Sequence, residues 1–200
     1  MSKVLFISDL HLGHKNVLSF DNRPFCSIED HDQKLIENWN KAVSSEDTVY
    51  ILGDVSWYKP GKTIELLGQL RGHKCLIKGN HDGHLLKSQD FRSRFEEILD
   101  YKELVLEHDR HVILCHYPIP CFKNHYYGAF HLYGHVHSGF EYNMMEHIKR
   151  EMLSLYSKPC NMYNVGCMIP YMNYTPRTLN EIVIKYEAEA CREEADSIEQ

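Results

Sequence analysis

Seven cysteines are present (Cys26, Cys75, Cys115, Cys121, Cys160, Cys167 and Cys191), but no two of them stand in a C-x-x-C spacing. An odd number without that spacing excludes a complete disulfide framework and a thiolate zinc site, and leaves free thiols. Long apolar runs are absent too. The opening run VLFIS is broken at Asp9, which is too short for the apolar centre of a signal peptide. No later segment approaches the ~18 apolar residues of a membrane span. A cytoplasmic location and no membrane partner are therefore expected. Basic charge is also scarce: 22 Lys and Arg stand against 28 Asp and Glu, a net charge of −6. That balance argues against an extended nucleic-acid interface, although bound cations can reverse the potential at one site. There is no internal repeat and no linker, so 200 residues fit a single domain spanning 1–200, with an acidic tail at 187–200 that reads as a solvated helix or frayed end.

What is present is histidine, 14 in all, gathered at short motifs. Short apolar runs with the length of buried strands cover 4–8, 48–52, 75–78, 105–107, 112–115, 130–133 and 182–186. Between the early runs lie helical spacings. Ile28, Asp32, Leu35, Trp39 and Val43 recur every three or four residues behind a plausible N-cap, Ser27. Ile64, Leu67 and Leu70 mark a shorter helix, 85–98 another, and Tyr142 to Leu155 a packing helix. Strand–helix alternation predicts an α/β fold with parallel pairing in the first half, and 101–116 reads as an antiparallel hairpin.

Each of five strands runs into Asp, Asn or His. VLFIS leads to Asp9 and His11, VYILG to Asp54, LIKG to Asn80-His81-Asp82, VILC to His116, and HLYG to His135 and His137. Carboxyl ends of parallel strands gather at one edge of an open sheet, so these distant residues are expected to converge. Their oxygen and imidazole donors suit divalent Mn, Fe, Zn, Ni or Mg, and they outnumber what one ion needs. They fit two ions sharing a carboxylate bridge, an arrangement suited to clamping a phosphoryl group.

In order, Asp9-Leu10-His11, Gly53-Asp54, Gly79-Asn80-His81-Asp82, His116 and Gly134-His135-Val136-His137 resemble the motif series of the calcineurin-like metallophosphoesterase superfamily: D-x-H, G-D, G-N-H-[DE], His, G-H-x-H. YNVG at 163–166 and the stretch 173–186 resemble the closing strands of small bacterial and phage members. The resemblance implies an αββα sandwich of two mixed sheets flanked by helices. It also implies a first ion held by Asp9, His11, Asp54 and His137, and a second held by Asp54, Asn80, His116 and His135. Manganese is the first expectation for both ions. The implied reaction is in-line attack of a metal-bridging hydroxide on phosphorus. His81 would then act as acid or transition-state stabiliser, with Asp82 holding its ring.

The protein-phosphatase signature G-D-x-x-D-R-G is missing; the sequence here is GDVSWYK. That departure favours a phosphodiesterase acting on a small phosphoester, nucleotides included. A phosphomonoesterase and a non-catalytic module that keeps the fold remain alternatives. Arg23, His14 and Asn80 are expected at the substrate, with Lys15 and Asn16 close by in sequence. The loop 117–131 is expected to wall the pocket, with His125, Tyr126 or Tyr127 available to stack a base.

Overall fold

The computed structural model describes residues 2–198, with side chains through Arg192. The first sheet consists of β1 (Val4–Ile7), β2 (Thr48–Ile51), β3 (His73–Ile77) and β4 (Ile98–Leu99), in that order and parallel throughout. Its crossovers carry α1 (Val17–Phe20) and α2 (Ile28–Ala42), then α3 (Pro60–Leu67), then α4 (Gln89–Arg92). The second sheet is mixed. Its hairpin of β5 (Tyr101–Leu106) and β6 (Arg110–Cys115) is followed by the parallel strands β7 (Phe130–Tyr133) and β8 (Met162–Asn164). Helix α5 (Phe140–Tyr156) links β7 to β8, and α6 (Leu179–Ile198) follows.

Strand periodicity explains the layering. In β6, Val112 and Leu114 join the main core with residues of the first sheet, whereas Ile113 faces the smaller cluster built on Met145 and Met152 of α5. In β7 and β8, Leu132 and Tyr163 point inward while Tyr133 and Met162 point to α5, as a period of two requires. The strands of the first sheet are buried on both faces, with Leu35 and Trp39 of α2 and Leu66 and Leu67 of α3 in the same core. The result is two sheets flanked by helices. They meet where the tip of β1 bonds the chain beyond β8: Ser8 N–H donates to Val165 O at 2.8 Å and Cys167 N–H to Ser8 O at 2.9 Å.

Two expected elements differ. The run 182–186 is not a strand but part of α6. Thr178 and Glu181 form a reciprocal capping box that starts a helix there: Thr178 N–H donates to Glu181 Oε2 at 2.8 Å and Glu181 N–H to Thr178 Oγ1 at 3.3 Å. Likewise 85–98 is not one helix. Ser88 accepts a bond from Phe91 N–H at 3.3 Å and opens the four-residue α4, after which the chain extends into β4. Ser27 does cap α2, accepting from Asp30 N–H at 3.0 Å. The acidic tail continues α6 as far as Ile198.

Candidate metal centre

Beyond the ends of β1, β2 and β7 the chain turns sharply. Asp9, His11, Asp54, His135 and His137 all adopt left-handed backbone, with φ of 54°, 50°, 54°, 71° and 49°. Each costs an L-residue roughly 1–2 kcal/mol, so the surrounding structure must impose it. The β1 and β2 loops run side by side, Asp9 N–H donating to Gly53 O at 3.1 Å and His11 N–H to Asp54 O at 3.0 Å. Two glycines permit the closest approaches. A Cβ on Gly79 would stand 2.3 Å from Asp54 Oδ1, and one on Gly134 would stand 2.5 Å from Asp9 Oδ2.

These turns bring all seven expected ligands together, three strand ends from the first sheet and two from the second. Donor atoms of Asp9, His11 and His137 lie within 4.8 Å of one another, and so do those of Asp9, Asp54 and His116. Asp54 Oδ2 stands between two imidazoles, 3.8 Å from His11 Nε2 and 3.7 Å from His116 Nε2. Asn80 Oδ1 approaches His116 Nε2 at 2.9 Å and His135 Nδ1 at 3.0 Å. The two metal-compatible groups adjoin and share Asp9, while Asp54 Oδ2, the expected bridge, approaches one histidine of each.

The chemistry of the set fits cations. His11 Nε2 is buried and has no hydrogen-bond partner among the described residues. Burial pushes the pKa of His11 far down, aided by the positive charge of Arg23 and the neighbouring histidines, so its ring is neutral. His116 Nδ1 lies 2.7 Å from the carbonyl of Leu52. A carbonyl only accepts, so this nitrogen carries a proton, and in the neutral ring Nε2 presents its lone pair toward the oxygen of Asn80. Acceptor facing acceptor is an arrangement that a cation resolves. Burial raises the pKa of Asp54, Asp9 adds repulsion, and His116 opposes both. Burial lowers the pKa of His135. For His137 burial is outweighed by the hydrogen bond to Asp21 and the nearby carboxylates, so its pKa rises.

The remaining expected residues divide. His81 is exposed beside the cluster, its backbone N–H donating to Asp54 Oδ1 at 3.0 Å and its ring 4.5 Å from that of Trp57. His14 lies flat on Trp57, centroids 4.0 Å apart, with its Nδ1 3.1 Å from His11 Nδ1; Lys15 and Asn16 are exposed. Asp82 does not hold the ring of His81. Fully buried, it accepts from three backbone N–H groups, of Asp54 (3.1 Å), Val55 (2.9 Å) and Gly79 (2.8 Å), and so ties two ligand loops together. Arg23 is not at the substrate either. It is 4% exposed, behind the ligands, and donates to the carbonyls of Asp9 and Leu10. The loop 117–131 contributes only its first residue to the site. Tyr117 packs edge-on against His116 and His135. His125 and Tyr126 contact Phe122 and Tyr156, and Tyr127 lies by Asp109 and Arg110 at the start of β6, the end remote from the ligands. Sequence reasoning passed over Phe20, Asp21 and Trp57. Proximity to D-x-H and G-D was their only signal.

Comparison with known proteins agrees with this geometry. The family model for calcineurin-like phosphoesterase matches residues 2–151. The chain belongs to that family. Among curated relatives, the uncharacterized protein MJ1445 of Methanocaldococcus jannaschii is 45% identical over 84 residues, 41% of this chain and 48% of the relative. The gene 66 protein of Mycobacterium phage L5 is 43% identical over 86 residues, 42% of this chain and 41% of the relative. The chain thus matches less than half the length of these relatives. A protein of unknown function from Aquifex aeolicus, AQ665, shares this chain's fold with a TM-score of 0.67 at 24% identity, over 91% of this chain and 98% of that one. The chain thus carries a calcineurin-like phosphoesterase domain, with Asp/His groups at the strand ends that could hold metal ions.

Proposed function

We propose that this site hydrolyses small phosphodiesters, nucleotides among them, with two divalent cations, manganese first among the candidates. The observation that carries the metal reading is the placement of Asp54 Oδ2 between His11 and His116, with imidazole nitrogens converging from both sheets. When bound, the cations polarise the phosphoryl oxygens and make water acidic enough to supply a nucleophile near neutral pH. Asp82 fastens the loops that carry Asp54 and Asn80, so little reorganisation of those two residues accompanies the reaction. His81 is the one exposed imidazole tied by its own backbone to Asp54, and it is placed to donate a proton to the departing oxygen.

Preference for a diester is supported by the fate of Arg23. With its guanidinium committed to Asp21, His31 and two carbonyls, it cannot meet the second negative charge of a monoester. Two exposed aromatics flank the cluster instead: Phe20, 58% exposed against His14 and His137, and Tyr117, 45% exposed against His116 and His135. They offer one apolar face for each organic group of a diester. No helix among the described residues is long and apolar enough to cross a membrane, which is compatible with a cytoplasmic place of action.

The test compares bis-p-nitrophenyl phosphate with p-nitrophenyl phosphate in added Mn²⁺. A higher kcat/KM for the diester is expected, and a strong monoester preference would overturn the substrate assignment. His81→Ala should lower kcat by roughly 10²–10⁴-fold while metal content stays unchanged.

A further inference from the structure

Behind His137 lies a buried chain of charged groups that the proposed reaction does not use. His137 Nδ1 is 3.0 Å from Asp21 Oδ2, and Arg23 Nε donates to that same oxygen at 2.9 Å. Arg23 Nη1 donates to His31 Nε2 at 2.9 Å, and His31 Nδ1 lies 2.9 Å from Asp32 Oδ1. Asp32 in turn accepts the N–H of Gly13, at 3.1 Å to Oδ2, in the loop that carries His11. Asp21, Arg23, His31 and Asp32 are all buried. Four buried polar side chains are costly to desolvate, and such groups are expected to be fully paired.

The donor rules fix every proton along this chain. Arginine only donates, so His31 Nε2 is an acceptor and its proton is on Nδ1, pointing at Asp32. An ionised carboxylate only accepts, so His137 Nδ1 carries a proton directed at Asp21. In the neutral ring, the form that binds an ion, this puts the lone pair of His137 on Nε2. The same Arg23 donates through Nη2 to Asp9 O at 3.0 Å and through Nη1 to Leu10 O at 3.3 Å. One guanidinium thus braces both the left-handed turn at Asp9 and the carboxylate that orients His137.

We infer that Asp21, backed by Arg23, His31 and Asp32, is a positioning residue for the first metal ion: it sets the tautomer and aim of His137 and leaves the second ion untouched. The inference rests on reading the cluster as a two-ion centre. Its mark is asymmetry. None of the described bonds of this chain reaches Asn80, His116 or His135, whereas Asp9, His137 and the loop of His11 are all bound to it. A carboxylate behind a ligating histidine is commonly worth 10–100-fold in metal affinity.

The experiment is calorimetric titration of Mn²⁺ into metal-free full-length protein, with metal analysis after dialysis. Histidine-ring ¹⁵N spectra of the metal-free protein are recorded alongside. Wild type is expected to bind two ions and to show His137 protonated at Nδ1. Asp21→Ala should lose 10–100-fold in one affinity only and shift His137 toward the Nε2-protonated form. Asp21→Asn keeps the shape and one acceptor oxygen, should lose less at the same site, and decides alone if Asp21→Ala does not fold. Wild-type affinities and an unchanged tautomer in the folded variant would overturn the inference, and so would equal weakening of both sites, the pattern of a merely structural role. Wild type that binds no metal would instead overturn the two-ion reading itself.

Discussion

At the scale of single residues, the convergence of Asp9, His11, Asp54, Asn80, His116, His135 and His137 is legible because their chemistry and their places after apolar runs are both visible in the chain. Depth is not. Arg23 and Asp82 looked like reactive-site groups because they stand near D-x-H and G-N-H. Which side of a loop a side chain takes depends on contacts from distant segments, and those put Arg23 beneath Asp9 and Asp82 among three backbone N–H groups. Removing an acceptor that serves several buried donors leaves each of them unsatisfied, at roughly 1–3 kcal/mol apiece. Asp82→Ala is therefore expected to lower unfolding stability by about 3 kcal/mol or more in urea titration, and to weaken both ions, since the loops it joins carry Asp54 and Asn80. Gly79→Ala is expected to be folded but deficient in metal, because the added methyl group collides with Asp54 Oδ1. Full metal content in that variant, measured by elemental analysis, would contradict the packing described here.

At the scale of elements, β1 to β3 with α2 and α3 are legible because strand ends, helix periods and caps agree, whereas the expected helix 85–98 shrinks to the four residues of α4. Errors came where a short apolar run was ambiguous. Ile182 to Tyr186 has the composition of a strand, yet Thr178-x-x-Glu181 just before it is a helix-start signal that outweighs β-branching. Thr178→Ala should cost about 1 kcal/mol of stability without changing metal affinity. Another element-level test concerns β7. His131 is buried with Nδ1 toward Ile113 O at 3.1 Å, and its Nε2 accepts from Ile119 N–H at 3.0 Å, so the ring pins the start of the 117–131 loop. Burial pushes its pKa down to about 4, against the opposing pull of the Ile113 and Tyr117 carbonyls. The unfolded chain takes up this proton near pH 6.5, whereas the folded chain resists it until about pH 4. Stability from this neutral ring is thus complete above about pH 6.5 and declines as the pH falls toward 4, by about 3 kcal/mol in all. Thermal melts from pH 7 to pH 4.5 should show that decline, and His131→Gln should flatten it.

At the scale of the molecule, the two-sheet plan was accessible to sequence through family motifs, while the joint between the sheets was not, since it depends on backbone pairing at Ser8, Val165 and Cys167. Cations held by donors of both sheets should stabilise the whole. An ion at 100 times its dissociation constant contributes about 2.7 kcal/mol, so chelation by EDTA should lower Tm by roughly 5–10 °C for each ion lost. An unchanged Tm would show that the clusters bind no metal in solution.

The division of the ligands between strand ends β1–β3 and strand ends β6–β7 also bears on time. Neither sheet alone presents a complete set for either ion, because His137 completes the first and His116 and His135 complete the second. Capture must then follow the docking of the sheets, late on the folding route. Interactions absent from the transition state slow unfolding and leave the folding rate alone. Stopped-flow measurements should find refolding indifferent to Mn²⁺, while unfolding slows by roughly 100-fold for 2.7 kcal/mol of bound-ion stabilisation, so that the ions act as a latch on the lifetime of the native state.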